Sequence, residues 1–242
     1  MHKSDINISL NIDAWCAHSN GLSSPECWKS WSDNLQWPTE SKLVTSAIPA
    51  MMRRRMSNLS KVAVQTTLEL LEQHHADYLV FASRHGELHR SVALIDAILK
   101  GEEASPMAFS QSVHNTAAGL ATIAAKKPIP VTSIAASGNT FQSAIIEAWL
   151  YLNANPEHKV LVIDFDQPLP QAYEQYEDQQ YQTYAIGLII SSGDDYLITS
   201  QATKETSAET RPQGLEFIRQ FLSNENHWHI ESPRQTWLWQ RK

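Results

Sequence analysis

Several things are scarce in this sequence, and each scarcity excludes something. Only two cysteines, Cys16 and Cys27, occur in 242 residues. That is too few for a disulfide scaffold or a thiolate zinc cage. His18 lies close to Cys16, and an adjacent imidazole can activate a thiol as a nucleophile; a buried inert thiol is the commoner use. The eight glycines are spread thinly, with no phosphate-binding loop and no dinucleotide fingerprint. Basic residues are outnumbered, 19 Lys and Arg against 26 Asp and Glu, giving a net charge of -7. A general nucleic-acid binder needs a basic face, which this balance does not supply. No apolar run approaches the roughly 20 residues of a membrane span. Met1-His2-Lys3-Ser4-Asp5 is polar and lacks the apolar centre of a signal peptide. A soluble protein of the reducing cytoplasm is expected, with no cofactor and no metal.

What is present suits a folded chain. Hydrophobic residues make up 42% and charged residues 19%, outside the disordered range. The length supports a core without cross-links. Ile6 to Trp15 alternates apolar and polar residues, a strand pattern. Ser23-Ser24-Pro25 opens a short helix to about Leu35, and Ser57 caps a helix to about His75. Tyr78 to Ser83 and Val160 to Phe165 are continuous apolar runs, the mark of strands buried on both faces. Helices are expected from about Gly86 to Lys100, Val113 to Lys126, Thr140 to Asn153 and Gly214 to Leu222. Pro128 to Ala135 reads as a strand with a proline-rich start. Gln167 to Thr183, rich in Gln and Tyr, reads as a surface excursion. Tyr184 to Ile190 is a strand, Asp194-Asp195 a turn, Tyr196 to Gln201 its hairpin partner, Thr203 to Arg211 a loop, and His227 to Trp239 a final strand. Alternating strands and helices give an α/β fold with a mostly parallel, mixed sheet covered by helices.

Chemistry is sparse. His85 and His89 stand four apart on a helix, but HGELH is not the HExxH order and no third ligand is evident. With His74-His75 and His227/His229, these read as surface histidines. Ser137 lies where a strand meets a helix, the place an α/β-hydrolase puts its nucleophile. Ala135-Ala136-Ser137-Gly138-Asn139 lacks the G-x-S-x-G spacing, although unpaired N–H groups at a helix start can stabilise an anion. Arg53-Arg54-Arg55 is the densest basic run: either a solvated loop or a dock for an acidic partner.

The segment Ser105-Pro106-Met107-Ala108-Phe109-Ser110-Gln111-Ser112-Val113-His114-Asn115-Thr116-Ala117-Ala118-Gly119 resembles β-ketoacyl synthases. There a serine-proline and an asparagine before a glycine-containing helix lead to the nucleophile strand. Pro130 to Gly138 resembles that strand and its elbow, whose family pattern is Thr-Ala-Cys-Ser/Thr-Ser-Gly. Aligned on Ser137-Gly138, the cysteine position holds Ala135, with Ala136 the alternative. Ile48-Pro49 through the Arg run to the Ser57 helix, and Leu79 to Ser83 before Gly86-Glu87, are similar too. The resemblance spans about residues 5 to 192 and is diffuse except at 105–138. It is nearest to the short ketosynthase-like proteins of aryl-polyene-type pathways, which are similar to chain-length factors.

The resemblance implies a thiolase-like fold, with residues 1–192 as a ketosynthase-like N-terminal half and 193–242 as a short extension in place of the second half. Two departures from the family remove catalysis. A methyl group at Ala135 can neither attack nor leave, and no histidine falls in a family catalytic motif. The implied role is a non-catalytic chain-length-factor-like subunit, which pairs with a complete β-ketoacyl synthase in a heterodimer or heterotetramer and meets acyl carrier protein through it. The family pairs its nucleophile strand across the dyad; here Ile129, Val131, Ser133 and Ile134 are the candidates. It also places a residue from the segment before the Val113 helix at the floor of the partner's acyl pocket. Met107, Ala108 and Phe109 are the candidates, with Ser112 and His114 behind them; the bland alternative makes Met107 and Phe109 core residues. Two rival readings are a thioester hydrolase using Ser137 and a carrier-docking module using Arg53, Arg54 and Arg55 with Arg84 or Arg90.

Overall fold

A computed structural model describes residues 7–39, 42–202, 211–232 and 234–242. The loop expected at Thr203 to Arg211 therefore lies almost wholly outside the described residues, as do Ile6 and the polar start. The elements follow in chain order: β1 (Asn7–Ser19), α1 (Pro25–Asn34), α2 (Ala50–Arg53), α3 (Asn58–Gln73), β2 (Tyr78–Ala82), α4 (Leu88–Leu99), α5 (Pro106–Ser110), α6 (Thr116–Ala125) and β3 (Val131–Ile134). Then come α7 (Thr140–Ala154), β4 (Lys159–Asp166), β5 (Tyr184–Ala202), α8 (Gln213–Phe221), β6 (His227–Ser232) and β7 (Gln235–Arg241). Caps set the helix starts. Ser24 accepts from the Cys27 N–H ahead of Pro25, and Ser57 accepts from the Ser60 N–H.

The strands form one sheet in the order β3-β2-β4-β5-β7-β6, with β1 along the other side of β5. The expectation of a mostly parallel sheet holds for β3-β2-β4 and gives way beyond β4, where every pairing is antiparallel. Crossover helices α4 to α6 and α7 impose the parallel part; β5 follows β4 through a short excursion and needs no crossover. Alternating side chains divide the core. Val80, Val162 and Leu188 face α1, α7 and α8, whereas Leu79, Phe81, Leu161 and Ile163 face α3 and α6.

Two expectations about the last third fail. Tyr196 to Gln201 is not a hairpin partner of Tyr184 to Ile190, because β5 runs through both without reversing. Leu10 pairs with Tyr196 and Asn11 with Ser191, so residues 192–195 bulge out of the ladder. Asn11 fastens the bulge by accepting the Asp195 N–H at 3.1 Å. Gly193 permits this approach, since a Cβ there would fall 2.1 Å from Asn11 Oδ1. His227 to Trp239 is two strands, β6 and β7, reversing near Arg234, which takes φ 68°. Both strands alternate and bury the same face: Trp228 pairs with Trp239 and Ile230 with Trp237, and all four are buried. A division of the chain at residue 192 falls inside β5, whose second half carries β7.

Candidate functional site

The parallel strands β2, β3 and β4 end together, and ligands of open α/β sheets bind outside such carboxyl ends. Ala135 and Ser137 are exposed there. Ala136 takes φ -142° and ψ 40°, and Ser137 takes φ 52°, a left-handed conformation unusual for a side-chain-bearing residue. Thr140 stabilises this elbow: its hydroxyl donates to Ser137 O at 2.7 Å and accepts the Ala136 N–H at 2.9 Å. α7 starts directly behind. Asn139 Oδ1 accepts from Trp237 Nε1 at 3.0 Å and from Gln213 Nε2 at 3.3 Å. The C-terminal hairpin and α8 thus hold the elbow, a link no local motif reveals.

Under the elbow lies a cavity of about 20 Å³ lined by Arg84, Ser137, Asp164, Asp166, Tyr184 and Gln213 among others. It has room for about one water. Its lining has two carboxyls and no imidazole, so this cavity offers Ser137 no histidine of the kind a serine hydrolase uses as its base. Burial raises Asp164 to about 8; the Tyr184 hydroxyl bond opposes the shift and Asp166 adds to it. Burial likewise raises Asp166 to about 7, against the Arg84 N–H at 2.6 Å, the Ser83 hydroxyl at 3.0 Å and the His85 N–H at 3.3 Å. Both folded-state values lie above the unfolded carboxylate value. Their protonated forms therefore contribute stability that is complete below about pH 4 and lost as pH rises through about 7 to 8. Asp164→Asn should flatten this loss while keeping an acceptor for Tyr184. Thermal melts of wild type and variant between pH 5 and about 9 should diverge at the alkaline end, with the variant the more stable. Parallel curves would remove Asp164 as the cause.

Toward the sheet edge, the loop after β2 is fixed by its neighbours. Ser83 Oγ accepts the Gly86 N–H at 2.7 Å, and His114 Nε2 donates to Ser83 O at 2.8 Å. Gly86 takes φ 56°, and a Cβ there would stand 2.8 Å from the His114 ring. His114 is therefore a half-buried brace of its own chain. Ser112 bonds to its own turn, its hydroxyl on Phe109 O at 2.9 Å. Ahead of them, Met107 is 55% and Phe109 62% exposed, and Ala108 is half-buried. The reading of Met107 and Phe109 as core residues is corrected: α5 has no buried residue at all. The neighbouring α4 has none either, and Ile95, Ile98 and Leu99 lie open. Met107, Phe109, Ile95, Ile98 and Leu99 thus leave apolar surface open on two neighbouring helices.

β3 pairs with β2 alone and ends the sheet. Leu79 N–H bonds to Pro130 O and Ser83 N–H to Ile134 O. In a parallel ladder this alternation turns Thr132 and Ile134 toward β2, and the N–H and C=O of Val131 and Ser133 toward the open edge. Of the four residues expected at a pairing strand, Val131 and Ser133 thus present free backbone. Ile134 is bonded inward, and Ile129 precedes the strand and packs toward α3 and α6.

The charged candidates separate similarly. Arg53 Nη1 donates to Thr45 O at 3.0 Å, whereas Arg54 and Arg55 are exposed. Arg84 makes a two-pronged ion pair with Asp178, at 2.7 and 2.8 Å. His89 Nε2 donates to Pro168 O at 2.8 Å. Burial and the adjacent Arg84 lower His85 to about 4. Cys16 donates to Thr66 O, and burial raises its thiol well above the ordinary value, with Glu69 adding to the shift. His18 lies against Thr66 and Glu69. Cys27 is exposed on α1.

A model of the β-ketoacyl synthase N-terminal domain matches residues 28–240. A chain of the solved complex of the ketosynthase ApeO with its chain length factor ApeC, from Xenorhabdus doucetiae, is 34% identical. The match covers 97% of this chain and 100% of that one, with a TM-score of 0.89. The ishigamide ketosynthase/chain length factor is 12% identical over 80% of this chain and 67% of its own, TM-score 0.64. A β-ketoacyl synthase from Burkholderia phymatum STM815 is 11% identical over 82% and 65%, TM-score 0.58. These last two show likeness of fold. Comparison with curated proteins gives no match. With its thiolase-like mixed sheet and this agreement over most of its length, the chain belongs to the β-ketoacyl synthase N-terminal domain family.

Proposed function

We propose that this chain is a non-catalytic, chain-length-factor-like subunit. It pairs with a complete β-ketoacyl synthase, acts with that partner on carrier-bound acyl chains, and shapes the partner's acyl tunnel in polyene or fatty-acid-type elongation. One observation carries the reading. Bulky apolar side chains that a lone domain would bury, Met107 and Phe109, stand exposed next to α4, an apolar helix with no buried residue, in a domain that also leaves the β3 edge open. The complex of ApeO with its chain length factor, which contains a chain similar to this one from end to end, supports it. Ala135 supplies no nucleophile at the elbow, in keeping with a subunit that contributes shape rather than chemistry. Residues 1–192 form the ketosynthase-like half in this reading, and 193–242 an extension joined to it through β5.

Co-expression with a complete synthase followed by size-exclusion chromatography tests the pairing. Co-elution is expected, with elongation activity depending on both chains. Two chains that never co-elute, with a synthase fully active alone, would sink the proposal. The carrier-docking reading retains Arg54 and Arg55 as a contributory feature. Exposed rim charges mainly raise association rates and are screened by salt. Arg54→Glu with Arg55→Glu should slow carrier association with the complex several-fold, about 3- to 10-fold at low salt, and less at high salt. Stopped-flow association rates at two ionic strengths measure this.

A further inference from the structure

Arg90, on the first turn of α4, directs its three guanidinium nitrogens at three separate pieces of chain. Nη2 donates to Arg55 O at 2.7 Å. Nη1 donates to Gln111 Oε1. Nε lies 3.5 Å from Glu87 Oε2. Glu87 is buried, and its other oxygen accepts the hydroxyls of Ser57 and Ser60 at the start of α3, at 2.6 and 2.5 Å. Arg90 is therefore anchored in the core side of the molecule and reaches outward in two directions.

Gln111 is the residue that closes α5, its N–H bonded to the Met107 and Ala108 carbonyls. α5 has only five residues and buries none. A helix this short has little stability of its own. Its remaining hydrogen bonds are local: Ser105 to Ala108, Ser110 to Met107, Ser112 to Phe109 and Thr116 to Ser110. Among the described residues, two hydrogen bonds tie 106–112 to a distant part of the chain, both from α4: Ser91 Oγ donates to Ser112 O at 3.0 Å, behind the helix, and Arg90 donates to Gln111, the residue that closes it.

We infer that Arg90 is a positioning residue for product length. It sets where α5 presents Met107 and Phe109, and through Arg55 O it links that placement to the Arg53–Arg55 loop. The inference rests on the proposed tunnel role of α5. Arg90 touches no acyl group; it acts through Gln111. A lysine cannot replace it, because one ammonium on a flexible stem cannot meet three acceptors lying in different directions.

Two measurements test this. In the free chain, Arg90→Gln and Arg90→Lys should both raise hydrogen exchange at amides 107–112 by roughly tenfold, the scale for losing one charge-assisted hydrogen bond. Amides of β2 and β4 should not change. In the complex with the synthase, both variants should broaden the product-length distribution while co-elution is retained. Gln111→Ala should give the same broadening, and the double variant no more, as for residues in one network. Gln111→Ala also serves if an Arg90 variant folds poorly. Unchanged exchange at 107–112 overturns the inference. So does an unchanged distribution in Arg90 and Gln111 variants under conditions where Phe109→Ala shifts it. If Phe109→Ala shifts nothing either, the tunnel reading of α5 fails and the product-length role of Arg90 with it, while the exchange data still decide whether Arg90 holds α5.

Discussion

Ser133→Pro should abolish co-purification with the synthase while the free chain stays folded. Ser133 sits in β3 with its N–H and C=O directed away from β2, so proline there removes no bond of the chain's own sheet. Proline is tolerated on edge strands for this reason. A partner strand pairing across the open edge would lose one N–H donor and meet the pyrrolidine ring. Loss of a buried interchain bond plus that steric conflict should weaken association by at least about 100-fold, or roughly 3 kcal/mol. Thr132→Pro is the informative contrast. Its N–H faces β2, so proline there should lower the melting temperature of the free chain. The measurement is size-exclusion chromatography of co-expressed pairs, with circular dichroism melts of the free variants. Wild-type co-elution of a folded Ser133→Pro chain would exclude strand pairing at β3 and leave the apolar faces of α4 and α5 as the contact.

The parts of the fold legible in the sequence are those where local chemistry and period agree. Ser24-Pro25 and Ser57 announce helix starts, because a cap and its acceptor are neighbours in sequence. Tyr78 to Ala82 and Val160 to Phe165 show their burial on both faces as unbroken apolar runs. Most of what stayed hidden depends on partners far away in sequence. One miss was legible locally: the buried positions are even at Trp228 and Ile230 but odd at Trp237 and Trp239, so the alternation slips by one residue at the reversal, and that slip together with Ser232-Pro233 is a turn signal. Asp194-Asp195 reads as a turn, yet the chain continues because Asn11 of β1 holds the bulge. The site divides the same way. Ala135 and the Met107–Phe109 segment emerge from a motif. The buried Asp164 and Asp166, the Asn139 contact with Trp237, and the Arg90–Gln111 tie come from residues tens of positions apart. Carboxylates inside an apolar strand such as Val160 to Asp166 are the one cue to these that could have been read, since a buried charge needs partners.

Phe109→Ala should shift the products of the complex toward greater length, and Phe109→Trp toward shorter ones. Phe109 is 62% exposed in the free chain, and Met107 beside it 55%. Its ring is therefore available to close a cavity formed with another chain. Each methylene excluded from an apolar pocket is worth only about 1–3 kcal/mol, so a sharp length limit requires steric blockage accumulated over several carbons. Truncating the ring removes the blockage but leaves the catalytic residues of the synthase untouched. The rate of the first condensations should therefore change little, and the maximum length should rise by roughly one two-carbon unit. Met107→Ala should add to this shift if both side chains line the same wall. Mass spectrometry of carrier-bound products, at equal amounts of co-eluting complex, reads the result. The docking-only alternative expects the reverse pattern: unchanged length in Phe109→Ala, and slower turnover at every length when Arg54 and Arg55 are reversed in charge. An unchanged distribution across Phe109→Ala, Phe109→Trp and Met107→Ala in an intact complex would remove α5 from the tunnel and leave this chain a stabilising partner of the synthase.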